Sequence, residues 1–416
     1  MEDIMNMIVQ AIRNLLRSPF RNSLATGSIV LATIVLLTLG GYYEYTAWGL
    51  RESLIHSQYA HVQVWSPGYR NSAAAEPFGH TLSAEELIKI EKIAESIPGF
   101  SVCANRLESF GILATTNGKT SKVLIEGVEP KKESLINTFL TYQSGKIFMN
   151  SHQSEAEIGK SLAEKLHIQL GDFVTLTTVD RNNEQTAVLV KVVGITGTFS
   201  KDYDSVIVKI PLSIMQELTD VNGVQEVAIL LKNTLQTQHY EEKLIKLLQT
   251  KGLRVDVTNW RDLAGYFNKV IIFNAGFFRI VMIFIVIVCF FVTFNTILLG
   301  MEERYSEWGT RRSMGETKIS VSLMLFVESL FISFVGWIIG SLLVLLLKFG
   351  IDLGIVSFTI PKPPGGTIDI PGSIRLSPPV FIRAVAVSIF TPLLATILPV
   401  FRLQRMTIID LLRKNQ

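Results

Sequence analysis

The chain has 416 residues, of which 48% are hydrophobic and only 18% are charged, and its mean hydropathy is +0.35. This composition is too apolar for an ordinary soluble protein of this length. The formal net charge is only +3 and no basic tract is present, which argues against nucleic acid as a partner. The two cysteines, Cys103 and Cys289, lie in a polar region and in an apolar run respectively. Neither a disulfide framework nor a cysteine-based metal site is therefore expected.

Four apolar blocks are each long enough to cross about 30 Å of hydrocarbon as a helix, which takes about 20 residues. Because a helix satisfies its backbone polar groups internally, each block is predicted to be a transmembrane helix. The sequence thus predicts an α-helical membrane protein with four transmembrane helices and a large α+β extracytoplasmic domain. The four spans are predicted over 22–43, 269–300, 319–347 and 380–400. A cytoplasmic amphipathic lead over 1–21 precedes them, a charged cytoplasmic segment over 301–318 joins the second and third spans, and a cytoplasmic tail over 401–416 follows the fourth. On the other side lie a periplasmic α+β domain over 44–268, with a β-rich insert at about 145–222, and an outer loop over 348–379.

Lysines and arginines are concentrated in alternate loops, and this asymmetry predicts the orientation of the spans. They precede the first span, fill the loop between the second and third spans and follow the fourth span: Arg13, Arg17, Arg21, Arg304, Arg311, Arg312, Lys318, Arg402, Arg405, Arg413 and Lys414. Both termini are therefore predicted to be cytoplasmic, and the domain over 44–268 lies on the far side of the membrane. Arg279 and Arg383 fall near the outer ends of their spans, where long side chains reach the headgroups.

The predicted outer domain mixes helical and strand patterns. Ser83 followed by Glu86 is a capping box, which predicts that a helix begins there. Asn117-Gly118 between two apolar runs predicts a β-hairpin, and a second hairpin is predicted around the short polar stretch at 181–185. Strand–helix–strand patterns at both ends of the region indicate one α+β subdomain, with the β-rich part inserted in it.

Some short patterns resemble sites of chemistry without completing one. Gly159-Lys160-Ser161 has the last three residues of a phosphate-binding loop, but Ser154 stands where the motif needs its first glycine. The six histidines are scattered, and no pair has metal-ligand spacing. The sequence therefore predicts no catalytic residue and no metal site on this chain.

Three residues inside the third span stand out. A carboxylate such as Glu328 is costly in a span, and it indicates either a structural hydrogen bond between helices or a mechanistic role. Both interpretations stay open at this point. Gly336 and Gly340 form a GxxxG pair, which permits close approach of another helix.

The charged segment between the second and third spans carries a recognisable pattern. The stretch "ERYSEWGTRRSMG" resembles a motif that follows the second span in the FtsX-like permease superfamily, which includes the FtsX, MacB and LolC/LolE permeases. Trp308 stands where an aliphatic residue is more usual. The motif positions are Glu303, Arg304, Glu307, Gly309, Arg312, Ser313 and Gly315.

The resemblance extends over the whole chain, through the third span with Glu328, the ending "LPVFRLQRMTIIDLLR" and the outer-domain stretch "EIGKSLAEKLHIQLGDFVTL". The outer domain is most similar to the LolC/LolE branch, which implies a porter-like subdomain with an inserted β-rich one. The resemblance also implies that this chain carries no ATPase site and no cofactor of its own. A separate cytoplasmic ABC ATPase dimer would bind ATP and Mg²⁺, and a second permease chain, identical or different, would complete the complex.

The function implied is that of a permease subunit in the bacterial inner membrane, which couples ATP hydrolysis by its partner to movements of its periplasmic domain. The 301–318 segment, the coupling segment, would contact the ATPase through the motif residues and Trp308. Release of lipoproteins from the membrane, with a periplasmic carrier as a possible partner, is the first expectation. LolC-type chains, however, carry an extended hook in the second hairpin, where this chain has only "VDRNNEQ". The alternatives are a MacB-like exporter of peptides, toxins or drugs and an FtsX-like regulator of a periplasmic hydrolase.

Overall fold

The structure, a computed structural model, describes residues 19–72, 78–148, 153–198, 200–357, 359–360 and 370–413. Most of the predicted amphipathic lead and part of the predicted outer loop lie outside the described residues. The helices are α1 Pro19–Leu54, α2 Tyr69–Ser72, α3 Ala84–Glu95, α4 Pro130–Ile136, α5 Lys160–Leu166, α6 Lys201–Asp204, α7 Leu212–Thr219, α8 Thr237–Thr250, α9 Trp260–Leu263, α10 Gly265–Glu303, α11 Tyr305–Ser313, α12 Lys318–Asp352, α13 Pro378–Arg405 and α14 Ile408–Arg413. The strands are β1 Val62–Trp65, β2 Phe100–Thr115, β3 Thr120–Val128, β4 Thr141–Gly145, β5 Glu155–Gly159, β6 Phe173–Val179, β7 Gln185–Gly197, β8 Ile207–Pro211, β9 Glu226–Leu231, β10 Asp256–Asn259, β11 Thr359–Ile360 and β12 Ile370–Pro371.

Four of these helices, α1, α10, α12 and α13, are long and apolar enough to cross a membrane. The stretches that qualify are Asn22–Tyr59, Phe267–Glu303, Lys318–Asp352 and Pro378–Arg405. The prediction of four transmembrane helices with a large α/β domain is confirmed. Each helix runs beyond the predicted span at both ends.

The helical unit of the chain comprises residues 1–47, 271–358 and 371–416 as far as they are described. In α13, Pro392 and Pro399 lie inside the helix, and the Thr396 hydroxyl donates a hydrogen bond of 2.8 Å to the Pro392 carbonyl. A proline within a helix lacks the backbone N–H that would donate to a carbonyl one turn earlier. In membrane helices, neighbouring side chains such as threonine satisfy the carbonyl that is left free.

The α/β unit comprises residues 48–270 and 359–370 as far as they are described. Its ten-stranded sheet has the order β10-β1-β9-β2-β3-β8-β5-β7-β4, and β6 pairs with both β2 and β7. The β3–β8 and β5–β7 pairs are parallel, whereas the other strand pairs of this sheet are antiparallel. The sixteen-residue strand β2 joins the two halves of the sheet, since it pairs with β9 near its start and with β6 near its end.

Two hydrophobic cores lie along this sheet. The first packs α3 and α8 against β1, β9 and the start of β2, with Ile90, Ile229 and Leu244 near its centre. The second contains residues of the predicted insert, and it also takes in Leu107 and Ile125 of the β2–β3 hairpin. The two cores therefore share β2, which explains why the strand patterns at both ends of the region belong to one sheet.

Local signals in the sequence of this unit correspond to the structure. The capping box is present, because the Glu86 amide donates to the Ser83 hydroxyl and the Glu86 carboxylate accepts from the Ser83 amide. The Asn117-Gly118 turn closes the β2–β3 hairpin, with Gly118 at a φ of 79° that glycine adopts without strain. The β6–β7 hairpin is also confirmed.

Candidate functional site

The coupling segment forms a short helix between two long ones. Helix α10 ends at Glu303, α11 runs over Tyr305–Ser313, and Thr317 caps α12 by accepting a hydrogen bond of 3.2 Å from the Ser320 amide. Gly315 has a φ of 100°, which allows the chain to turn back after α11. No atom lies within 4 Å of the position that a Cβ would take at Gly315, so this glycine serves the turn and not a close approach.

One face of α11 is buried in the helical unit. Tyr305 and Trp308 are only 2% and 3% exposed, and they pack with Met301 in a cluster that includes residues of α12, α13 and α14. Met301, Tyr305 and Trp308 recur at the spacing of one helical face, a signal of burial that the sequence already carried. Trp308, a predicted coupling residue, thus lies in a core that packs α11 against the spans.

Gly309 brings α11 close to the C-terminal helix α14. A Cβ at position 309 would lie 2.9 Å from Leu412 Cγ and 3.3 Å from Leu411 Cβ, which is closer than a side chain tolerates without a shift of its neighbours. The motif glycine is therefore explained by helix packing. Leu411 and Leu412 were not among the predicted site residues, because their position beside Gly309 depends on the path of the chain through α12 and α13.

Two cations tie this region to the end of α13. Arg312 Nη1 donates a hydrogen bond of 2.9 Å to the Met406 carbonyl, and Lys318 Nζ donates one of 2.8 Å to the Gln404 carbonyl. The last carbonyls of a helix lack partners within the helix and carry partial negative charge, so cations stabilise them. Arg312, a predicted coupling residue, thus has an internal role.

The opposite face of α11 is open to solvent. Glu303, Glu307 and Ser313 of the motif are exposed, and so is Met314, which is 76% exposed. Glu307 and Ser313 lie on the side of α11 away from Tyr305 and Trp308, whereas Glu303 ends α10 and Met314 directly follows α11. These residues, with a methionine at the end of the helix, are exposed parts of the coupling segment. Met314 was not predicted as a site residue.

Glu328 forms an ion pair with a motif residue. Arg304 Nη1 lies 2.9 Å from Glu328 Oε1, and the two side chains are only 10% and 14% exposed. A crevice beside this pair is lined by Asn22, Thr296 and Ser329 among others. The pair joins the turn after α10 to the interior of α12, so the coupling segment is connected directly to a carboxylate inside a span.

The two glycines of the third span allow α12 to approach α1. A Cβ at Gly336 would lie 2.9 Å from Ile29 Cβ, and one at Gly340 would lie 2.7 Å from Thr33 Cβ. Thr33 of α1 also contacts α13, because its hydroxyl forms a hydrogen bond of 2.8 Å with the hydroxyl of Ser388. The GxxxG pair therefore has the close-packing role that its spacing indicated.

A buried charge cluster in the α/β unit was not predicted. The Arg106 guanidinium donates to Glu133 at 2.9 Å and to the Gln58 carbonyl, and Lys209 Nζ donates to Glu133 at 2.9 Å. Burial alone would raise the pKa of Glu133, but Arg106 and Lys209 outweigh it and lower that pKa to about 2. The signal was the presence of charged residues within or at the start of the otherwise apolar strands β2, β3, β8 and β9, but the partners come together only in the fold.

The same cluster holds more carboxylates than cations. Burial, with the charge of Glu126 nearby, raises the pKa of Glu108 to about 7, and burial raises the pKa of Glu226 well above its usual range. Because a buried carboxylate without a full share of positive charge binds a proton more tightly, these two groups hold protons at a pH where exposed glutamates are ionised. The cluster is thus a polar core between β2, β3, β8 and β9.

The Gly159-Lys160-Ser161 triplet lies where β5 meets α5. A Cβ at Gly159 would lie 2.2 Å from the Asp204 carbonyl oxygen, so the close approach of another backbone explains this glycine. Within the described part of the chain, no three His, Cys, Asp or Glu side chains are arranged to hold a metal ion.

Two family models match the chain. The MacB-like periplasmic core domain matches residues 23–247, which is more than half of the chain, and the FtsX-like permease C-terminal region matches residues 279–408. The chain is a permease of the ABC transporter class. It belongs to the FtsX/MacB/LolC family, in which a MacB-like core domain precedes an FtsX-like permease region. The family predicted from the motif at residues 303–315 is confirmed.

Individual proteins are similar to this chain at low identity. The lipoprotein-releasing system transmembrane protein LolC of Haemophilus influenzae is 21% identical over 342 residues, which cover 80% of this chain and 84% of LolC. The periplasmic region of MacB from Actinobacillus actinomycetemcomitans is 13% identical with a TM-score of 0.36, covering 49% of this chain and 89% of that structure. The extracellular domain of the noncanonic ABC-type transporter YknZ from Gram-positive bacteria is 16% identical with a TM-score of 0.33, covering 48% of this chain and 99% of that structure.

Proposed function

We propose that this permease transmits the movements of a separate cytoplasmic ABC ATPase dimer through α11 to the α/β unit, which works in the periplasm. The observation that carries the proposal is the two-sided character of α11. Its exposed face carries Glu307, with Glu303 exposed just before it at the end of α10, while its buried face packs through Tyr305 and Trp308 onto the spans. A partner that moves the exposed face would move the packed helices with it. ATP and Mg²⁺ would bind to the partner, and this chain would be a non-catalytic subunit.

The exposed apolar surface of the second span supports the presence of a second permease chain in the complex. Only 11% of its most apolar stretch is buried within the chain, compared with 33% to 44% for the other three spans. Its exposed side chains are large and apolar, and they include Ile280, Phe284 and Phe291. A second copy or a related permease chain would cover this surface, with lipid covering the remainder.

Lipoprotein release from the inner membrane is the substrate class we propose, and the similarity to LolC over 80% of this chain supports it. A MacB-like exporter or an FtsX-like regulator of a hydrolase is the alternative. One observation favours these alternatives over docking of a periplasmic carrier in the manner of LolC. The β6–β7 connection spans only Asp180–Glu184, and the Asp180 carboxylate closes it by accepting from the Asn182 and Glu184 amides at 2.8 Å. No extended hook is present at this hairpin.

The substrate is tested by purifying the chain with its ATPase and identifying the lipoproteins, lipids and proteins that co-purify by mass spectrometry. Reconstituted proteoliposomes would then be assayed for ATP-dependent release of a bound lipoprotein. Enrichment of lipoproteins and their release on ATP addition would support the proposal. Enrichment of a soluble toxin, a peptide or a cell-wall hydrolase in their place would favour one of the alternatives.

The orientation is tested by cysteine labelling in intact spheroplasts. Both native cysteines, Cys103 and Cys289, are buried, so their background labelling by a membrane-impermeant maleimide should be low. Cysteines placed at Asn117 and Asn182 should label from outside, and one at Ser306 should label only after the membrane is opened. Labelling of Ser306→Cys from outside would overturn the proposed topology.

A further inference from the structure

The chain makes an unusual turn between α1 and β1. Helix α1 is α-helical as far as Leu54, and a single π-helical turn follows over Ile55–Tyr59. The Ala60 amide closes this turn by donating a hydrogen bond of 2.9 Å to the Ile55 carbonyl, and His56 within it has non-helical angles of φ −95° and ψ 19°. Turns of this type are rare and often lie at functional sites. The whole turn belongs to the α/β unit, which begins at residue 48.

Ala60, at the end of this turn, has a strained backbone. Its φ is 54° and its ψ is −164°. His167 and Asp220 also have a positive φ, but their ψ values of 40° and 41° place them in the left-handed helical region. Ala60 lies instead at the border of a region that glycine alone adopts without strain, and its side chain is fully buried. Strain of this kind persists only where the surrounding contacts hold the backbone in place.

Strand β9 holds the residue that follows Ala60. The His61 amide donates a hydrogen bond of 3.0 Å to the Ile229 carbonyl, and the Leu231 amide donates one of 3.1 Å to His61 Nδ1. Because Nδ1 accepts, the ring proton lies on Nε2, which donates to the Thr234 hydroxyl at 3.0 Å. His61 is only 1% exposed. Its backbone and its side chain are therefore both fixed to β9 and to the segment just after it.

The end of α1 and the start of α10 are both tied to His61. The Thr234 hydroxyl, which accepts from His61, donates at 3.3 Å to Glu52 in the last turn of α1. The His61 carbonyl accepts a hydrogen bond of 3.1 Å from the Trp260 amide. Trp260 begins α9, directly before α10, and its ring packs edge to face against Phe267 of α10 with the centroids 5.2 Å apart. A displacement of either helix end therefore acts on His61.

Other contacts fix the π-helical turn to β2 and α4. The Gln58 carbonyl accepts from the Arg106 guanidinium of β2. His56 Nδ1 lies 3.3 Å from the Ile136 carbonyl at the end of α4, and the His56 ring stacks on Phe139 with the centroids 5.7 Å apart. The turn is thus held on one side by β9 and on another by β2 and α4, which is the support that a strained residue needs.

We propose that the segment Leu54–His61, the entry joint, is a stiff connection in which the strained Ala60 delivers a displacement of α1 to β9. The inference rests on the function proposed above, because it assigns the residues through which the transmitted movement enters the sheet. A strained backbone that is fully enclosed by contacts has few alternative φ and ψ values, so the joint resists bending when α1 moves. Glycine at position 60 would adopt many such values at little cost, and the joint would then absorb the movement.

The joint is tested on the full chain purified with its ATPase, by hydrogen–deuterium exchange measured with mass spectrometry. The exchange of backbone amides is compared without nucleotide and after trapping with ATP and vanadate. In the unmodified complex, we expect trapping to change the exchange of both α11 and β9. In the Ala60→Gly complex, the change in α11 should remain, whereas the change in β9 should be lost.

Ala104→Gly is the matched control. Ala104 of β2 is also fully buried, but it lies within the regular pairing of β2 with β9, so its replacement removes a methyl group without releasing strain. This variant should keep the ATP-dependent change in β9. In thermal unfolding of the full chain in detergent, its Tm should lie about 2–4 °C below that of Ala60→Gly, because relief of strain offsets the cost of glycine only at position 60.

The possible outcomes separate the entry joint from the proposed function. If trapping does not change the exchange of β9 in the unmodified complex, the proposed transmission is wrong and the joint with it. If β9 responds equally in the unmodified and Ala60→Gly complexes, the transmission stands and the joint alone is wrong. Equal Tm values for Ala60→Gly and Ala104→Gly would also overturn the joint, because Ala60 would then carry no strain.

Discussion

Arg304, in the turn after α10, lies 2.9 Å from Glu328 in the interior of α12. Both side chains are largely buried, so each charge contributes to the compensation of the other. The pair gives Glu328 a defined structural partner, which was one of the two interpretations that its position in the span left open. Because Arg304 belongs to the coupling segment, any displacement of that segment must either carry α12 with it or break the pair.

Removal of one partner should therefore be costly. Glu328→Ala removes the carboxylate that lies 2.9 Å from the largely buried Arg304 Nη1, and we expect a loss of about 3 kcal/mol in stability. The double variant Arg304→Gln/Glu328→Ala should recover part of that loss, because neither charge of the pair is then left buried. Thermal unfolding of the full chain in detergent, arranged as a double-mutant cycle, measures both effects.

The exposed pair Lys348–Asp352 on the same helix provides the control. Asp352→Asn should change stability by less than about 1 kcal/mol, since exposed ion pairs contribute little. Equal effects of Glu328→Ala and Asp352→Asn would show that the Arg304–Glu328 pair does not hold the coupling segment to α12.

The features predictable from the sequence were those with local signals. The capping box at Ser83, the Asn117-Gly118 turn and the apolar runs of the spans depend on residues close together in the chain. The burial of Trp308 was also locally visible, because Met301 and Tyr305 precede it at helical spacing, although the motif made it a candidate for partner contact.

Contacts between distant segments were not predictable in the same way. Gly309 meets Leu412 only because α12 and α13 return the chain to α11. Arg106 and Lys209 both reach Glu133 only because the fold brings β2, β8 and α4 together. A single sequence without its fold does not fix such pairs. The buried charges of the sheet were therefore missed, although each one interrupts an apolar run.

The contact between Gly309 and Leu412 predicts a matched pair of variants. Gly309→Val should push α14 away from α11 and destabilise their packing by about 1–3 kcal/mol, since it adds bulk to a filled contact. Leu412→Ala removes the side chain that Gly309→Val would meet, so the double variant should recover part of the loss. Protease sensitivity of the C-terminal helix and the rate of ATP-dependent transport are the measurements.

Gly315→Ala is the comparison that separates the loss of packing between α11 and α14 from strain in the turn after α11. Its Cβ would meet no neighbour within 4 Å, but the φ of 100° would be strained for alanine. Leu412→Ala should therefore rescue Gly309→Val and leave the defect of Gly315→Ala unchanged. Rescue of both variants to the same extent would contradict the packing explanation.

The buried carboxylates predict how the stability of the α/β unit depends on pH. Burial raises the pKa of Glu108 and Glu157 to about 7 from an ordinary 4.5. Between these values the folded state keeps a proton that the unfolded state releases, so stability should fall as pH rises, by at most about 1.4 kcal/mol per pH unit for each group. Glu226 acts in the same direction. Burial lowers the pKa of His61 to about 4, so the contribution of His61 to stability rises with pH between about 4 and 6.5. The stabilising contribution of Glu133 is lost only as the pH falls from 4.5 toward 2.

Urea unfolding of the segment 48–270 at pH 5 and at pH 7.5 measures this slope. Glu108→Gln removes one of the raised carboxyls and should make the decline shallower. The exposed Glu184, on the β6–β7 turn, provides the comparison, and Glu184→Gln should leave the slope unchanged. A stability that rises between pH 5 and pH 7.5 would show that the carboxyls of the cluster are ionised in the folded protein.

The exposed face of α11 gives the last prediction, which concerns coupling itself. Glu307 is exposed, whereas its neighbours Tyr305 and Trp308 anchor the helix in the helical unit. Glu307→Lys therefore reverses a charge on the exposed side of α11 without disturbing the packed side, and the variant should insert into the membrane normally. A like-charge contact at an interface costs several kcal/mol, so the ATPase should bind at least about 10-fold more weakly, or bind and no longer respond to substrate. Co-purification of the ATPase and substrate-stimulated ATP hydrolysis measure the two outcomes.

Glu184→Lys is the control, because it reverses a charge on the α/β unit and should change neither binding of the ATPase nor ATP hydrolysis. If the complex of Glu307→Lys assembles and hydrolyses ATP as the unmodified complex does, the ATPase does not dock on this face of α11.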